Sequence, residues 1–147
     1  MTTPEINKEI VRRFNKEVIE QGNEATFHEL MDAAFINQTA PPGANRAADM
    51  WHTFSDILRP AFPDLAVEIQ DLVAEGDKVT TRKSITGTHT GELVLRYASE
   101  TLSIPPTNRK VKVDVIDIVR LHDGRYAEHW GLNTLHSVLA DLRKSSL

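Results

Sequence analysis

The sequence contains no cysteine among its 147 residues. This absence excludes disulfide bonds, thiol nucleophiles and zinc sites with cysteine ligands. The six histidines show neither His-x-His nor HExxH spacing, so no metal site is expected. A glycine-rich phosphate loop and a Gly-x-Ser-x-Gly nucleophile elbow are also missing from the sequence. We therefore expect a protein that uses neither a metal nor another cofactor, and we exclude an α/β-hydrolase.

Basic surfaces and long apolar runs are scarce as well. The 17 lysines and arginines are outnumbered by 21 acidic residues and are spread along the chain. We therefore expect neither nucleic acid nor an anionic membrane as a partner. No apolar run approaches the ~18–20 residues that span a bilayer, and the first ten residues do not resemble a signal peptide. These features predict a cytoplasmic protein, and its length predicts one domain over residues 1–147.

The hydrophobic pattern changes from helical to alternating after Pro63. Apolar spacing and capping residues predict three helices, at about residues 4–22, 23–32 and 47–61. Alternating strands joined by hairpin turns follow, and a short helix closes the chain. Helices that are segregated from strands in this way indicate an α+β fold with an antiparallel sheet. Such a sheet, covered on one face by helices, can curl into a cone with a pocket at its mouth.

Asp117 interrupts an otherwise apolar face of a predicted strand. In the segment VKVDVIDIVRLHD, positions 111, 113, 115, 119 and 121 are all apolar, and Asp117 shares their face. Burial of a carboxylate is costly unless it is paired, and it raises the pKa. Both effects suit a general acid or base. The alternatives are that this face is exposed, or that Asp117 forms a structural ion pair with Arg82.

Two histidines and one asparagine are further candidates for polar chemistry. His89, in GTHTGE, could polarise a carbonyl or relay a proton, although its position is more typical of a hydrogen-bonded histidine at a strand end. His129 and Trp130 are adjacent on a strand, so only one of them can face a pocket. Asn37 could orient a substrate carbonyl or a water molecule, or it could stabilise the following turn.

The opposite face of the Asp117 strand carries Ile116 and Ile118 among charged residues. Exposed apolar residues on a sheet are usually covered, and a second copy related by a two-fold axis would cover them. We therefore expect a homodimer, or a higher homo-oligomer, formed through the sheet.

Six longer segments occur in a recognisable order and span nearly the whole chain: FINQTAPPG, AFPDLAVEIQDLVAEGDKV, GTHTGEL, PPTNRKV, DIVRLHDGRYAEHW and LHSVLADL. In these segments the sequence resembles the SnoaL-like polyketide cyclase (ester cyclase) family of the nuclear transport factor 2-like superfamily. The resemblance implies a cone with three N-terminal helices on a strongly curved antiparallel sheet, a short C-terminal helix and a deep apolar pocket. The fold hosts many activities, so it does not identify one.

The resemblance also implies where an active site would lie. Cyclases of the family close a ring by an aldol step, using an acid/base aspartate, a histidine fourteen positions earlier and an asparagine near the second helix. The asparagine matches Asn37, whereas the aspartate position falls on Gly131 and the histidine position on Asp117. The chain thus departs from the family at both acid/base positions. Either Asp117 replaces the missing carboxylate from across the pocket, or the site only binds a ligand.

Three functions remain open from the sequence. The first is a cyclase or isomerase type of enzyme acting on a small, apolar, polyketide-like or carbonyl substrate. In it Asp117 removes a proton, and Asn37, His89 or His129 stabilises the oxyanion. The second is a binding protein without catalysis. The third is a water-activating enzyme like the related epoxide hydrolases, whose Asp–Arg–Asp arrangement Asp117 and Arg82 match in part. The residues expected to contact the ligand are Asn37, Trp51, Phe54, Leu58, Phe62, Arg82 and Trp130.

Overall fold

The N-terminal part of the chain is helical. The computed structural model of the protein describes residues 2–97 and 100–145. Helix α1, Pro4–Arg13, continues directly as a π-helical segment, Phe14–Glu20. The side chain of Thr3 accepts a hydrogen bond from a backbone N–H of the first turn, as expected for an N-terminal cap. Gly22, at φ +68°, ends the helix in a left-handed conformation that favours glycine.

The second and third helices have a strand between them. Helix α2 is Glu24–Leu30, and strand β1, Met31–Asn37, follows it without a linker. Helix α3, Ala47–His52, continues as a π-helical segment, Thr53–Leu58, and ends in the single turn α4, Arg59–Ala61. The three predicted helices are confirmed. Helix α2 is shorter than predicted because the residues after it pair with the sheet as a strand, in which Met31 and Phe35 are buried.

Five strands form one sheet in the order β1-β7-β6-β3-β2. Four of them pair antiparallel, as predicted: β2 (Ala66–Glu75), β3 (Lys78–Thr88), β6 (Lys110–His122) and β7 (Arg125–Asn133). Strand β1 departs from the prediction because it pairs with β7 in parallel. Strands β4 (Leu93–Tyr97) and β5 (Glu100–Ile104) form a separate antiparallel pair, and helix α5 (Leu135–Ser145) ends the described chain.

The buried apolar side chains form two clusters between the helices and one face of the sheet. The first cluster is built around α1, α2, β1 and β7 and includes Phe14, Phe27, Phe35 and Tyr126. The second includes Leu58, Phe62 and Leu142 and lies between α4, β4, β5 and α5. The α+β fold with a curved sheet and helices on it is therefore confirmed. Among the described residues, no helix is long and apolar enough to cross a bilayer.

Candidate active site

A cavity of about 200 Å³ lies between the helices and the inner face of the sheet. Its walls join the two apolar clusters, since Phe14 and Tyr126 of the first cluster and Leu58 and Phe62 of the second all contribute to it. Further apolar lining comes from Met50, Phe54, Val111, Val113, Val115, Leu135 and Val138. A largely apolar enclosure with a few polar groups is the usual form of a small-molecule site.

Asp117 lies on the buried face of β6, as its position in the sequence predicts. Its alternating neighbours Val113, Val115, Val119 and Leu121 are buried, and Asp117 itself is only 6% exposed. The carboxylate contributes to the cavity wall. The alternative that this face is the exposed one is therefore wrong.

Lys83, on the neighbouring strand β3, is the cation closest to this carboxylate in the described structure. Its Nζ lies 3.4 Å from Asp117 Oδ2, and both side chains are almost fully buried. The ammonium also donates a hydrogen bond to Asn15 Oδ1 at 2.7 Å, and Asn15 Nδ2 in turn donates to the carbonyl of Val11 at 2.8 Å. The buried charge of Asp117 is therefore compensated by Lys83 from β3, and Asn15 of the π-helical segment holds Lys83 in place.

His129 joins Asp117 to Asn37. Its Nε2 lies 3.2 Å from Asp117 Oδ2, and its Nδ1 lies 2.9 Å from Asn37 Oδ1. The parallel pairing of β1 with β7 places Asn37 directly beside His129. The hydroxyl of Thr39 donates to the same Asn37 oxygen at 3.3 Å and accepts a hydrogen bond from the backbone N–H of Gly131 at 3.0 Å. These contacts fix the orientation of both the imidazole and the amide.

The protonation of Asp117 is set by opposing influences. Burial alone would raise the pKa of this carboxyl, but the charge of Lys83 and the hydrogen bond from His129 outweigh burial and lower the pKa below its ordinary value. Asp117 is therefore ionised at neutral pH. The same negative charge, added to the stronger effect of burial, raises the pKa of Tyr126, so the phenol keeps its proton.

Two polar atoms of the site lack a hydrogen-bond partner within the described chain. Asp117 Oδ1 is buried and has no hydrogen-bond partner among residues 2–97 and 100–145. The oxygen of the Asn37 amide is engaged by His129 and Thr39, whereas within the described chain its Nδ2 makes no hydrogen bond. The site therefore offers one anionic acceptor and one neutral donor within an apolar enclosure. This combination can remove a proton and hold a developing oxyanion.

The structure brings most of the predicted residues together at this cavity. Asp117, His129 and Asn37 form its polar side, and Phe54, Leu58 and Phe62 are among its apolar lining. Lys83 and Asn15 were not predicted. The strand TTRKSIT reads as solvated because it is rich in threonine and lysine. The usable signal was the odd position number, because Lys83 shares a face of the strand with Val79, which is buried, and with Ile85, which lines the cavity.

Three predicted ligand contacts lie elsewhere and need correction. Arg82 is on the outer face of the sheet, paired with Asp71 at 2.5 Å, because it alternates with the inward-facing Lys83. It does not form the ion pair with Asp117 that was considered. Trp51 packs against Phe27, with ring centroids 5.0 Å apart. Trp130 follows His129 on β7 and faces the opposite side of the sheet.

His89 also lies away from the polar side of the cavity. It is fully buried beside Phe62, with ring centroids 5.5 Å apart, and its Nδ1 accepts a hydrogen bond from the backbone N–H of Thr107. Burial lowers the pKa of His89, so its ring is neutral. Its contacts are those of a histidine that holds the loop between β5 and β6, and its placement does not favour a catalytic role.

Comparison with known proteins identifies a family to which the sequence is similar. The family model of the SnoaL-like polyketide cyclases matches residues 9–142. No curated protein sequence gives a significant match. The fold is similar to that of TsrD from Streptomyces laurentii, with a TM-score of 0.78 at 22% identity, over 97% of this chain and 98% of that chain.

Two other solved structures show the range of proteins with this fold. IdmH from Streptomyces antibioticus, named as a candidate polyketide cyclase, has a TM-score of 0.71 at 25% identity, over 92% of this chain and 97% of its own. An LEH-like epoxide hydrolase of M. tuberculosis has a TM-score of 0.65 at 11% identity, over 97% and 92%. Because the family model covers most of the chain, the protein belongs to the SnoaL-like polyketide cyclase family.

Proposed function

We propose that the protein is an enzyme of the cyclase or isomerase type that removes a proton from the carbon beside a carbonyl group of an apolar substrate. The observation that carries this proposal is that Asp117, whose Oδ1 is buried without a hydrogen-bond partner, lines an apolar cavity together with Asn37. A base and an oxyanion donor are the two groups that enolisation requires.

In the proposed reaction Asp117 Oδ1 takes the proton from the α-carbon. The electron pair of the broken C–H bond forms an enolate, and its oxygen accepts a hydrogen bond from Asn37 Nδ2. In a ring closure the enolate carbon then bonds to a second carbonyl carbon of the same molecule. The proton on Asp117 passes to the alkoxide that this attack creates. The reaction is an isomerisation in which no atom is gained or lost, and it needs no cofactor.

His129 and Lys83 serve the base in this proposal without removing the substrate proton themselves. Both contact Asp117 Oδ2, which leaves Oδ1 as the reacting atom. Their effect on the carboxyl is to hold its pKa low, so Asp117 is ionised over the whole neutral range. Both ring nitrogens of His129 are already engaged, by Asp117 and by Asn37.

The two other functions fit the geometry less well. An epoxide hydrolase of the Asp–Arg–Asp type needs a second acid and an arginine at the cavity, whereas Asp117 is the one acid in its described lining and Arg82 faces away. A purely binding role does not require a buried carboxylate whose second oxygen lacks a partner, since an uncompensated acceptor weakens binding of an apolar ligand.

We also propose that two copies associate through the outer face of the sheet. Ile116 is 57% exposed, Leu132 is 78% exposed and Ile118 is 36% exposed, on neighbouring strands of that face. A second copy of the same face would cover these side chains from both partners at once. Location in the cytoplasm and organisation as one domain stay predictions from the sequence.

The proposal is tested with Asp117→Asn, which keeps the shape of the side chain and removes the base. The assay follows hydrogen–deuterium exchange at the α-carbon and ring closure by NMR, on a panel of apolar ketones and β-keto esters, with epoxides as a separate arm. We expect turnover to fall by roughly 10²–10⁴-fold, with little change in substrate affinity.

The matched control is Asp71→Asn, which removes an exposed carboxylate from the outer face. It should leave turnover unchanged. Equal rates for the wild type and Asp117→Asn on a substrate that is turned over would reject Asp117 as the base. Tight binding of an apolar carbonyl compound without exchange, retained or improved in Asp117→Asn, would favour the binding role.

A further inference from the structure

We infer that Gly131 is a positioning residue, because the absence of its side chain is what allows His129 to lie between Asn37 and Asp117. Gly131 follows His129 by two residues on β7, so the two positions share the inner face of the sheet. It is also the direct cross-strand partner of Asp117. Only its predicted effect on turnover rests on the proposed function.

The space at Gly131 is already filled by the imidazole. A Cβ atom at this position would lie 2.6 Å from His129 Cε1 and 3.1 Å from His129 Nε2, but 3.6 Å from Asp117 Cβ. The first distance is well below van der Waals contact, whereas the last is an ordinary contact. The clash is therefore with the histidine ring and leaves the carboxylate in place.

The backbone at Gly131 does not itself require glycine. The described glycines with positive φ are Gly22, Gly43, Gly76 and Gly124, so alanine at 131 would meet no backbone strain. The ring of His129 could avoid an added methyl group only by rotating. Rotation would give up both of its hydrogen bonds, at 3.2 Å to Asp117 and at 2.9 Å to Asn37.

Gly131 acts on the amide of Asn37 from a second direction as well. Its backbone N–H donates to Thr39 Oγ1 at 3.0 Å, and the Thr39 hydroxyl donates to Asn37 Oδ1 at 3.3 Å. The same residue thus orients the amide through its backbone and leaves room for the imidazole that binds the other side of that oxygen. If His129 moved, Asn37 would lose its contact with the imidazole, while Asp117 would keep Lys83.

A double-mutant cycle tests the packing argument without a substrate. It compares the melting temperatures of the wild type, Gly131→Ala, His129→Ala and the double variant. In a strand with ordinary φ, alanine for glycine reduces the entropy of the unfolded chain and stabilises the protein. We therefore expect Gly131→Ala to lower the melting temperature when His129 is present, and to leave it unchanged or raise it when His129 is alanine. An equal change in both backgrounds would overturn the inference.

A spectroscopic measurement separates positioning from general destabilisation. Long-range ¹H–¹⁵N spectra report the hydrogen bonding of the two ring nitrogens of His129. We expect both nitrogen shifts to move in Gly131→Ala and to stay in place in Leu132→Ala, which alters the next residue on the outer face. Unchanged His129 shifts in Gly131→Ala would contradict the inference.

Turnover gives a third readout, which depends on the proposed function. With a substrate that the wild type converts, Gly131→Ala should lower kcat by about 10²-fold and change KM little, because a displaced catalytic contact costs about this much. An unchanged kcat would count against Gly131 as a positioning residue. If the wild type converts nothing, the proposed function fails, while the cycle and the spectra still decide the inference.

Discussion

The two faces of the sheet at β6 and β7 each carry side chains that are unusual for their exposure to water, but in opposite ways. On the inner face, among buried apolar side chains, Asp117 and the neighbouring Lys83 of β3 are charged groups that are each only 6% exposed. On the outer face the neighbouring residues Ile116, Ile118 and Leu132 are apolar and exposed. One strand therefore carries, at adjacent positions, an acid out of water and an isoleucine in water.

The two faces differ in whether residues of the same chain already compensate these unusual side chains. The inner charges are paired, because Lys83 and His129 both contact Asp117. For the outer apolar side chains the described residues of one chain provide no complete cover. The buried charges of the inner face are therefore compensated within one chain, whereas the exposed apolar side chains of the outer face are not covered and are the basis of the proposed dimer.

Removing Lys83 should have the largest effect on this contrast. In Lys83→Met, Asp117 would lose its nearest cation while remaining buried, and breaking a buried pair costs about 3–5 kcal/mol of unfolding free energy. Chemical denaturation of Lys83→Met and Arg82→Met compares adjacent cations on opposite faces. Arg82→Met should leave stability nearly unchanged because its ion pair with Asp71 is exposed. Equal losses in the two variants would contradict the contrast.

The same substitution predicts a change in pH dependence with a defined sign. In the wild type the folded pKa of Asp117 is lowered, so its contribution to stability is present above the unfolded value of about 3.9 and is lost as pH falls through the folded value. In Lys83→Met the burial would remain and the attraction would be gone, so the basic form of Asp117 should appear only at higher pH. The acid limb of kcat/KM should move upward accordingly.

Charges on the outer face should disrupt the proposed dimer and leave the cavity intact. We expect Ile116→Lys combined with Leu132→Asp to weaken dimerisation by at least about 10²-fold, since several desolvated contacts would be lost and charges buried. Sedimentation of the wild type and the variant at several concentrations gives the two dissociation constants of the dimer. A matched control is Ile6→Lys, which changes an exposed apolar residue on α1. A wild type that sediments as a 16.5 kDa monomer at micromolar concentration would rule out the dimer.

The smallest predicted effect concerns His89, a buried titratable group outside this network. Burial depresses its folded pKa, so the stability it contributes is present above the unfolded value of about 6.5 and is lost as pH falls below it. The slope from this group cannot exceed about 1.4 kcal/mol per pH unit. Denaturation between pH 7 and pH 5 should show a shallower loss of stability in His89→Asn than in the wild type, and equal losses in the two proteins would contradict this prediction.

Much of the fold follows from local sequence patterns, because caps and periodicity act within a few residues. Thr3 and Asn23 cap the first two helices, and the change of period after Pro63 marks the start of the antiparallel strands. The strand at 31–37 was not predicted, and its first two residues were predicted as the end of a helix. Its pairing with β7 is a long-range contact in parallel register, which no local pattern encodes.

The site was predictable where one strand was long enough to reveal its faces. The thirteen residues of β6 suggested from sequence that Asp117 lies on the buried face, although Ile116 and Ile118 on the other face left the exposed alternative open until the structure showed the burial. In β3, threonine and lysine obscured the alternation, and Arg82 was considered as the ion-pair partner of Asp117, whereas the partner is Lys83. Adjacent residues on a strand point to opposite faces, so choosing Arg82 in place of Lys83 put the positive charge on the wrong side of the sheet.

The parallel contact between β1 and β7 also determines when the site can exist during folding. His129 Nδ1 and Asn37 Oδ1 belong to residues 92 positions apart in the chain. Closing so long a loop costs more entropy than forming the hairpins of β2 with β3 or β6 with β7, so contacts of this kind form late. Helices and hairpins can assemble early, but His129 and Asp117 meet Asn37 only when β1 pairs with β7.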